Sequence, residues 1–277
     1  MTGQLWLIST PIGNMDDLPP RAVNTLQACA LICCEDTRHS GKLLANAGVR
    51  GVRLAVANEH TESDRTAEVL ELLAAGSDVA VVTDAGTPGI SDPGARLVRA
   101  AVAAGHRVSA VPGPAALVMG LVLSGFDTTR FVFEGFLPRT GRDRAERIAS
   151  IAAERRTVVM YESPHRVRRT VNDLLAACGT DRGIALAREL TKLHEETWRG
   201  NLADAAQHLL DQAPRGEFVL VVEGASPQPL ATDEAISGAL RMALASGVDR
   251  RTAIATVIAT TGAAKRRVYD LALSIPR

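Results

Sequence analysis

Ionisable side chains in this chain collect directly behind apolar runs. Leu31 to Cys34 is followed by Glu35-Asp36-Thr37-Arg38-His39, Thr157 to Tyr161 by Glu162-Ser163-Pro164-His165-Arg166, and Ile184 to Ala187 by Arg188-Glu189-Leu190-Thr191-Lys192. Short apolar runs of this kind read as buried strands, so these groups stand at strand carboxyl ends, where open α/β sheets bind ligands. A carboxylate, lysine or imidazole held there can take the proton of a poor nucleophile such as a hydroxyl, worth roughly 10²- to 10⁴-fold in rate. Glu189 and Lys192 follow their strand directly and are the first catalytic candidates, with Glu35 and Asp36 as the pair on the other edge. Arginines nearby can clamp phosphate oxygens. Capping competes with chemistry here, because Asp36 or Thr37 would also open a helix from Arg38 to Ala47.

A second kind of strand end is rich in glycine. Asp84-Ala85-Gly86-Thr87-Pro88-Gly89-Ile90-Ser91-Asp92-Pro93-Gly94 follows the apolar run Val79 to Thr83. Glycine and proline at this density stop both strand and helix, so the backbone must turn. Asp92 and Pro93 read as N-cap and first residue of a helix to about Ala104. The loop matches neither Gly-x-Gly-x-x-Gly nor Gly-x-x-x-x-Gly-Lys-Ser/Thr, so neither dinucleotide nor P-loop phosphate binding is indicated. Bare backbone at that edge suits a flat ligand that approaches closely.

Strands and helices must alternate to position these loops. Leu5 to Ser9 is a first strand ending in Thr10-Pro11-Ile12-Gly13-Asn14, Asp17 is a candidate cap for a helix from about Pro19 to Cys29, and further strands are expected at Arg53 to Ala57 and Val108 to Val111. Residues 1–115 therefore form an α/β domain with a parallel sheet. Val111-Pro112-Gly113-Pro114-Ala115-Ala116 breaks the pattern as hinge and loop. A second α/β domain, 116–225, carries strands at Phe131 to Phe136, Thr157 to Tyr161, Ile184 to Ala187 and Phe218 to Glu223. A Ser-Pro-Gln-Pro linker leads to a helical tail, 232–277, with helices near Asp233 to Ala245, Arg250 to Thr260 and Ala263 to Leu273.

Composition sets bounds on partners. The 277 residues are 46% apolar and 22% charged with zero formal net charge, an ordinary globular balance without a global pull toward nucleic acid. Positive charge is local instead, since residues 241–277 hold seven basic side chains against two acidic ones and residues 130–170 hold ten against five. Cys29, Cys33, Cys34 and Cys178 have no metal-site spacing and read as buried reduced thiols, so no metal is expected. The amino terminus lacks a basic region followed by an apolar stretch, and no run approaches the ~20 apolar residues of a membrane span, which makes a cytoplasmic protein without membrane contact the expectation.

The Asp84 to Gly94 loop resembles the signature loop of the tetrapyrrole methylase superfamily. Thr10 to Asn14, Pro112 to Ala115, Phe133-Glu134-Gly135-Phe136-Leu137-Pro138, Tyr161 to Arg166, Arg188 to Lys192 and Arg215-Gly216-Glu217-Phe218 match it in order, over about residues 4–224. The resemblance implies two α/β domains with S-adenosylmethionine in the cleft between them and a small helix-turn-helix-like tail. It implies cofactor contacts from Pro11, Gly13, Asp84, Gly86, Thr87, Ile90, Ser91, Asp92, Pro112, Gly113, Ala115, Phe133, Tyr161, Ala187 and Gly216. Within the superfamily the match is to the branch that methylates the ribose 2′-hydroxyl of a cytidine in the decoding region of 16S rRNA, commonly as a homodimer. RNA contacts are then expected from Arg38, His39, Arg139, Arg142, His165, Arg166, Lys265, Arg266 and Arg267, with 16S rRNA or the 30S subunit as partner.

Two other readings stay open at this stage. Fold and cofactor loop do not fix the acceptor, so a methylase of a tetrapyrrole precursor or another small molecule would share these features. A ligand-sensing regulator with a DNA-binding tail is the non-enzymatic rival, although no strongly basic recognition helix stands out.

Overall fold

In a computed structural model, whose described residues are 2–58, 61–226 and 231–275, the apolar runs become two five-stranded sheets. The first contains β1 (Gln4–Ile8), β2 (Leu31–Cys34), β3 (Arg53–Val56), β4 (Val79–Val81) and β5 (Arg107–Val111), in the order β3-β2-β4-β1-β5 and wholly parallel. Its connections are α1 (Pro20–Ala28), α2 (Thr37–Asn46), α3 (Glu62–Ala74) and α4 (Ala95–Ala103). Helices cover both faces, which is why β2 and β4 are apolar at every position. Leu5, Leu31, Cys33, Val79 and Val81 pack against Val69, Leu73, Leu97 and Ala101, whereas Ile8, Ile32, Cys34, Ala80 and Val82 pack against Ala22, Leu26 and Leu44. Each buried leucine or isoleucine contributes about 1.5–3 kcal/mol. Cys29 and Cys33 belong to these cores, and burial pushes both thiols up to about 12.

The second sheet is mixed. β6 (Phe131–Phe136) pairs parallel with β7 (Thr157–Glu162), while β10 (Phe218–Val222) runs antiparallel to β7 and to β8 (Gly183–Arg188). An edge strand absent from the sequence reading, β9 (Glu196–Asn201), is antiparallel to β8. Its residues, Glu-Thr-Trp-Arg-Gly-Asn, lack the apolar alternation that marks a strand, and the pairing with β8 supplies what the pattern does not. Helices α6 (Gly141–Ala153), α7 (Val167–Cys178) and α8 (Leu202–Asp211) cover one face. The other face packs against α5 (Ala116–Ser124), Phe126, Ile12 and Leu190.

The chain packs as two compact units, one ending at Ala225 and one beginning at Ser226. The second holds α9 (Asp233–Ala245), α10 (Arg250–Thr261) and α11 (Lys265–Leu273) around Ile236, Leu240, Val257 and Val268. Residues 227–230 of the expected linker, and Arg277, lie outside the described residues.

Two capping expectations are corrected. Asp17 ends a single 3₁₀ turn, Met15–Asp17, and Pro19 is the N-cap of α1. The helix expected from Pro93 begins at Ala95, with Gly94 (φ +125°) as its N-cap, so Asp92 and Pro93 belong to the loop. Pro93 is instead tied back by its carbonyl, which accepts the Gly89 N–H at 2.9 Å. Asp36 does cap α2, accepting the Arg38 N–H at 2.7 Å.

Candidate active site

The glycine-rich loop is pinned at three points. Thr10 and Gly86 form an antiparallel bridge that joins it to the loop after β1, with Thr10 N–H donating to Gly86 O at 2.8 Å and the reverse bond at 3.1 Å. The Thr87 hydroxyl donates to Pro114 O at 3.2 Å and lies 3.1 Å from the Ser9 hydroxyl, tying in the segment after β5. At its far end Glu62 Oε1 accepts the N–H groups of Gly94, Arg96 and Leu97. That carboxylate fills the anion site which a helix N-terminus would otherwise offer to a phosphate. Nothing in the sequence singles out Glu62, an ordinary acidic residue in the first turn of α3.

Two adjoining chambers open between the sheets. The inner one, about 400 Å³, is bounded by Ser91 and Asp92 from the glycine loop, Ala116 of α5, Phe136 and Tyr161 from the second sheet, and Glu189. The outer one, about 490 Å³, is bounded by Pro11, Gly13, Asp84 and the α2 residues His39, Lys42 and Asn46. Ile12, Ala85, Lys192 and Glu217 line both, so they form the boundary that the two chambers share. Lys42 and Asn46 escaped sequence reasoning, although their spacing from His39 places all three on one face of a helix.

Lys192 sits at that shared boundary, between two carboxylates. Its Nζ donates to Glu189 Oε1 at 3.0 Å and to Glu217 Oε2 at 2.8 Å, and Glu189 Oε1 also accepts the Glu217 N–H at 3.1 Å. Desolvation alone would raise Glu189, but the Lys192 and Glu217 hydrogen bonds outweigh it and hold the carboxyl below its ordinary range. Desolvation alone would lower Lys192, and the two carboxylates hold it above. Glu189 therefore stays ionised and Lys192 protonated near neutrality. Glu189 and Thr191 adopt left-handed backbone conformations, φ +50° and +66°, as does Ser91 at +62° across the cleft. Strain of this kind, of order 1–3 kcal/mol per residue, persists where the surroundings over-determine the turn. The surroundings are explicit: Gly13 has no Cβ, and one would collide with the Lys192 side chain and sit 3.0 Å from Thr191 Oγ1.

Acidic groups share the first sheet's edge. Glu35 accepts the Thr83 hydroxyl and the Asp84 N–H, joining the ends of β2 and β4. Burial first, and then Glu35, push the Asp92 carboxyl up to about 6. Asp84 is raised by the same causes, and its Oδ1 is buried without a hydrogen-bond partner. Asp36 pairs instead with Arg38 at the surface, which lowers its carboxyl. Tyr161 reaches the hinge segment, its hydroxyl accepting the Leu117 N–H at 3.2 Å at the start of α5, whose N-cap is Ala115.

The remaining expected residues are spread more widely. Phe133 packs edge-on to Tyr161 in the core beneath α5, and Ala187 is wholly buried there. Gly113 lies against Ser9, beside Pro112, and Gly216 lies against the Glu189 side chain. Ile90 is exposed at the loop tip. Arg139 and His165 are exposed, Arg142 pairs with Glu146, and Arg166 turns inward to Leu137 O and Glu162. Lys265 and Arg266 are exposed at the start of α11, where Arg267 pairs with Asp233. Among the described residues no cluster of three or more histidine, cysteine or acidic side chains is arranged to hold a metal ion, and no helix is long and apolar enough to cross a membrane.

A parallel sheet and a mixed sheet facing one cleft, with a pinned glycine loop and no phosphate cradle, define a class. The chain belongs to the family described as Tetrapyrrole (Corrin/Porphyrin) Methylases, whose model matches residues 4–206. Among its relatives is the "Ribosomal RNA small subunit methyltransferase I" of Synechocystis sp., 44% identical over 275 residues, covering 99% of this chain and 98% of that one. The protein of that name from Haemophilus influenzae is 39% identical over 278 residues, again covering 99% and 98%. Among solved structures, the methyltransferase CobJ superposes with a TM-score of 0.62 at 21% identity, covering 82% of this chain and 97% of that one. Uroporphyrin-III-C-methyltransferase from Thermus thermophilus gives 0.54 at 21%, covering 81% and 94%. At such identities these two show the fold alone.

Proposed function

We propose that this chain is an S-adenosylmethionine-dependent methyltransferase acting on the ribose 2′-hydroxyl of a cytidine in 16S rRNA. The relatives' shared name supports the acceptor class. The observation that carries the chemistry is the pair of adjoining chambers, one lined mainly by apolar groups with Asp92 and Glu189 among them, the other bordered by His39, Lys42 and Asn46 of α2.

The inner chamber fits the cofactor. Its volume lies within the range of small-molecule sites. Its charged groups are Asp92, Glu162, Glu189 and Glu217 against the single cation Lys192, which is already bonded to Glu189 and Glu217, and Glu62 closes the helix N-terminus on the glycine loop. Such a site suits a cation and disfavours a phosphate. Asp92, Ser91, Tyr161 and Ala116 would hold the cofactor here, with Gly86, Thr87, Pro112, Gly113 and Ala115 shaping the loops behind them. When bound, S-adenosylmethionine supplies a methyl group already activated on sulfur, so the protein's task is alignment and exclusion of water.

Glu189 is the residue of its pair that can take the 2′-hydroxyl proton, since Lys192 is already protonated. Lys192 orients that carboxylate and presents positive charge where the two chambers meet. Glu35 and Asp36 act from the opposite edge, where Glu35 fixes the start of the glycine loop. His39 and Arg38 on α2, Arg139 and His165 around the second sheet, and Lys265 and Arg266 on the tail supply phosphate contacts. In this reading the domains divide near residue 115, the tail over 232–277 is an RNA-binding element, and the protein works in the cytoplasm on 16S rRNA or the 30S subunit. A homodimer would bury the outer face of α5, where Val118, Met119 and Val122 are exposed.

Transfer of radiolabelled methyl from S-adenosylmethionine tests this, with 30S subunits, naked 16S rRNA and a tetrapyrrole precursor as parallel acceptors. The expected product is one alkali-resistant 2′-O-methylcytidine in 16S rRNA, and comparison of the naked and assembled acceptors decides which form is the substrate. Label on the small molecule alone would move the function to a tetrapyrrole methylase. Sedimentation of the free protein tests the dimer.

A further inference from the structure

Aromatic residues make up only 3% of this chain, yet three of them form one cluster, two of whose rings bound the inner chamber. Phe133 lies edge-on to Tyr161 with ring centroids 5.1 Å apart, and Phe136 is tilted against the same ring at 5.6 Å. Phe133 is partly buried in the core, whereas Phe136 is 53% exposed while bounding the chamber.

An irregularity in β6 puts Phe136 there. Phe133 pairs with Val159 and Phe136 with Tyr161, so β6 advances three residues while β7 advances two. Gly135 absorbs the extra residue at φ +61°, a conformation that favours glycine. Strict alternation would place residue 136 with Glu134, which faces α6 and pairs with Arg147. The bulge returns Phe136 to the Tyr161 side, and Leu137 then enters the core beneath α6 and α7. Gly135 also lies against the glycine loop, since a Cβ there would sit 3.2 Å from Ser91 Oγ. A strand has thus given up ladder pairing to hold one exposed aromatic ring at the chamber.

We propose that Phe136 is a nucleobase-stacking residue, set by the Gly135 bulge so that a flat heterocycle lies on its free face. Stacking of a base on an aromatic ring is worth about 1–3 kcal/mol and needs no particular base. The heterocycle is the adenine of the cofactor or an unpaired base of the acceptor RNA, and the inference rests on the methyltransferase reading above. Binding geometry therefore distinguishes two sources of one chemistry.

The test compares Phe136→Leu and Phe136→Tyr with the unaltered full chain. Leucine keeps most of the apolar area without a π face, and tyrosine keeps the face. S-adenosylmethionine affinity is measured by calorimetry, and KM and kcat for 30S subunits by methyl transfer. If adenine stacks, Phe136→Leu weakens cofactor binding about tenfold and Phe136→Tyr restores it. If an RNA base stacks, cofactor affinity is unchanged and KM for 30S rises about tenfold with tyrosine again restoring it. The proposal is overturned if leucine and tyrosine behave alike in both assays, or if Phe136→Leu acts only by changing the sedimentation coefficient of the free protein. Absence of transfer to rRNA by the unaltered chain would remove the function itself, and calorimetry would still decide the adenine arm.

Discussion

The carboxylate of Glu62 accepts the backbone N–H of Leu97 at 3.0 Å, from one helix to the first turn of another. The same oxygen accepts from Gly94 and Arg96, so a single side chain satisfies three amides that α4 leaves unpaired. Glu62→Ala is expected to cost about 3 kcal/mol, because buried donors lose their acceptor together with the favourable charge at the helix start. Glu62→Gln should lose less, since its amide oxygen still accepts. Urea midpoints for the three proteins check this ordering.

Asp92 predicts how cofactor affinity depends on pH. With its carboxyl at about 6 in the free protein, it is largely neutral at pH 5 and ionised at pH 7. A cationic ligand favours the ionised form, so binding should tighten as pH rises through 6, by up to about tenfold. Asp92→Asn should bind more weakly at pH 7 and show a flat profile between those limits. Calorimetric titrations at half-unit steps would reveal either slope.

Gly13→Ala adds one methyl group where the Lys192 side chain already lies. Lys192 must move, and its bridge between Glu189 and Glu217 opens. We expect methyl transfer to fall by at least tenfold while the circular dichroism spectrum and melting temperature stay near those of the unaltered chain. A large drop in melting temperature would mean that the contact is mainly structural.

Lys192→Met removes the cation that holds Glu189 low. Glu189 remains desolvated, so its carboxyl should rise, and activity that depends on its ionised form should appear only at higher pH. The acid limb of the pH–rate profile is therefore expected to move upward, alongside a lower plateau. An unmoved acid limb with a lower plateau would assign the limb to another group.

Much of this architecture was legible before any coordinates. The runs Leu31 to Cys34 and Val79 to Val81 declare strands covered on both faces, because a strand with a solvent face would alternate, and the helical patterns between them make those strands parallel. The Asp84 to Gly94 loop declares a turn at a sheet edge through glycine and proline alone, and the tail helix Asp233–Ala245 is bounded as its pattern suggests. These are local properties, set by periodicity, propensity and backbone freedom over a few residues. Tertiary structure decided the rest. β9 exists because β8 offers it a ladder, not because Glu-Thr-Trp-Arg-Gly-Asn is strand-like. Glu62 caps a helix that begins 33 residues later, at Ala95, and Lys192 meets Gly13 and Glu217 from distant parts of the chain. Phe136 faces Tyr161 only because one extra residue in β6 shifts the register. Which side a group faces, and which charges surround it, depends on contacts between remote segments, and a sequence pattern carries no distance between them.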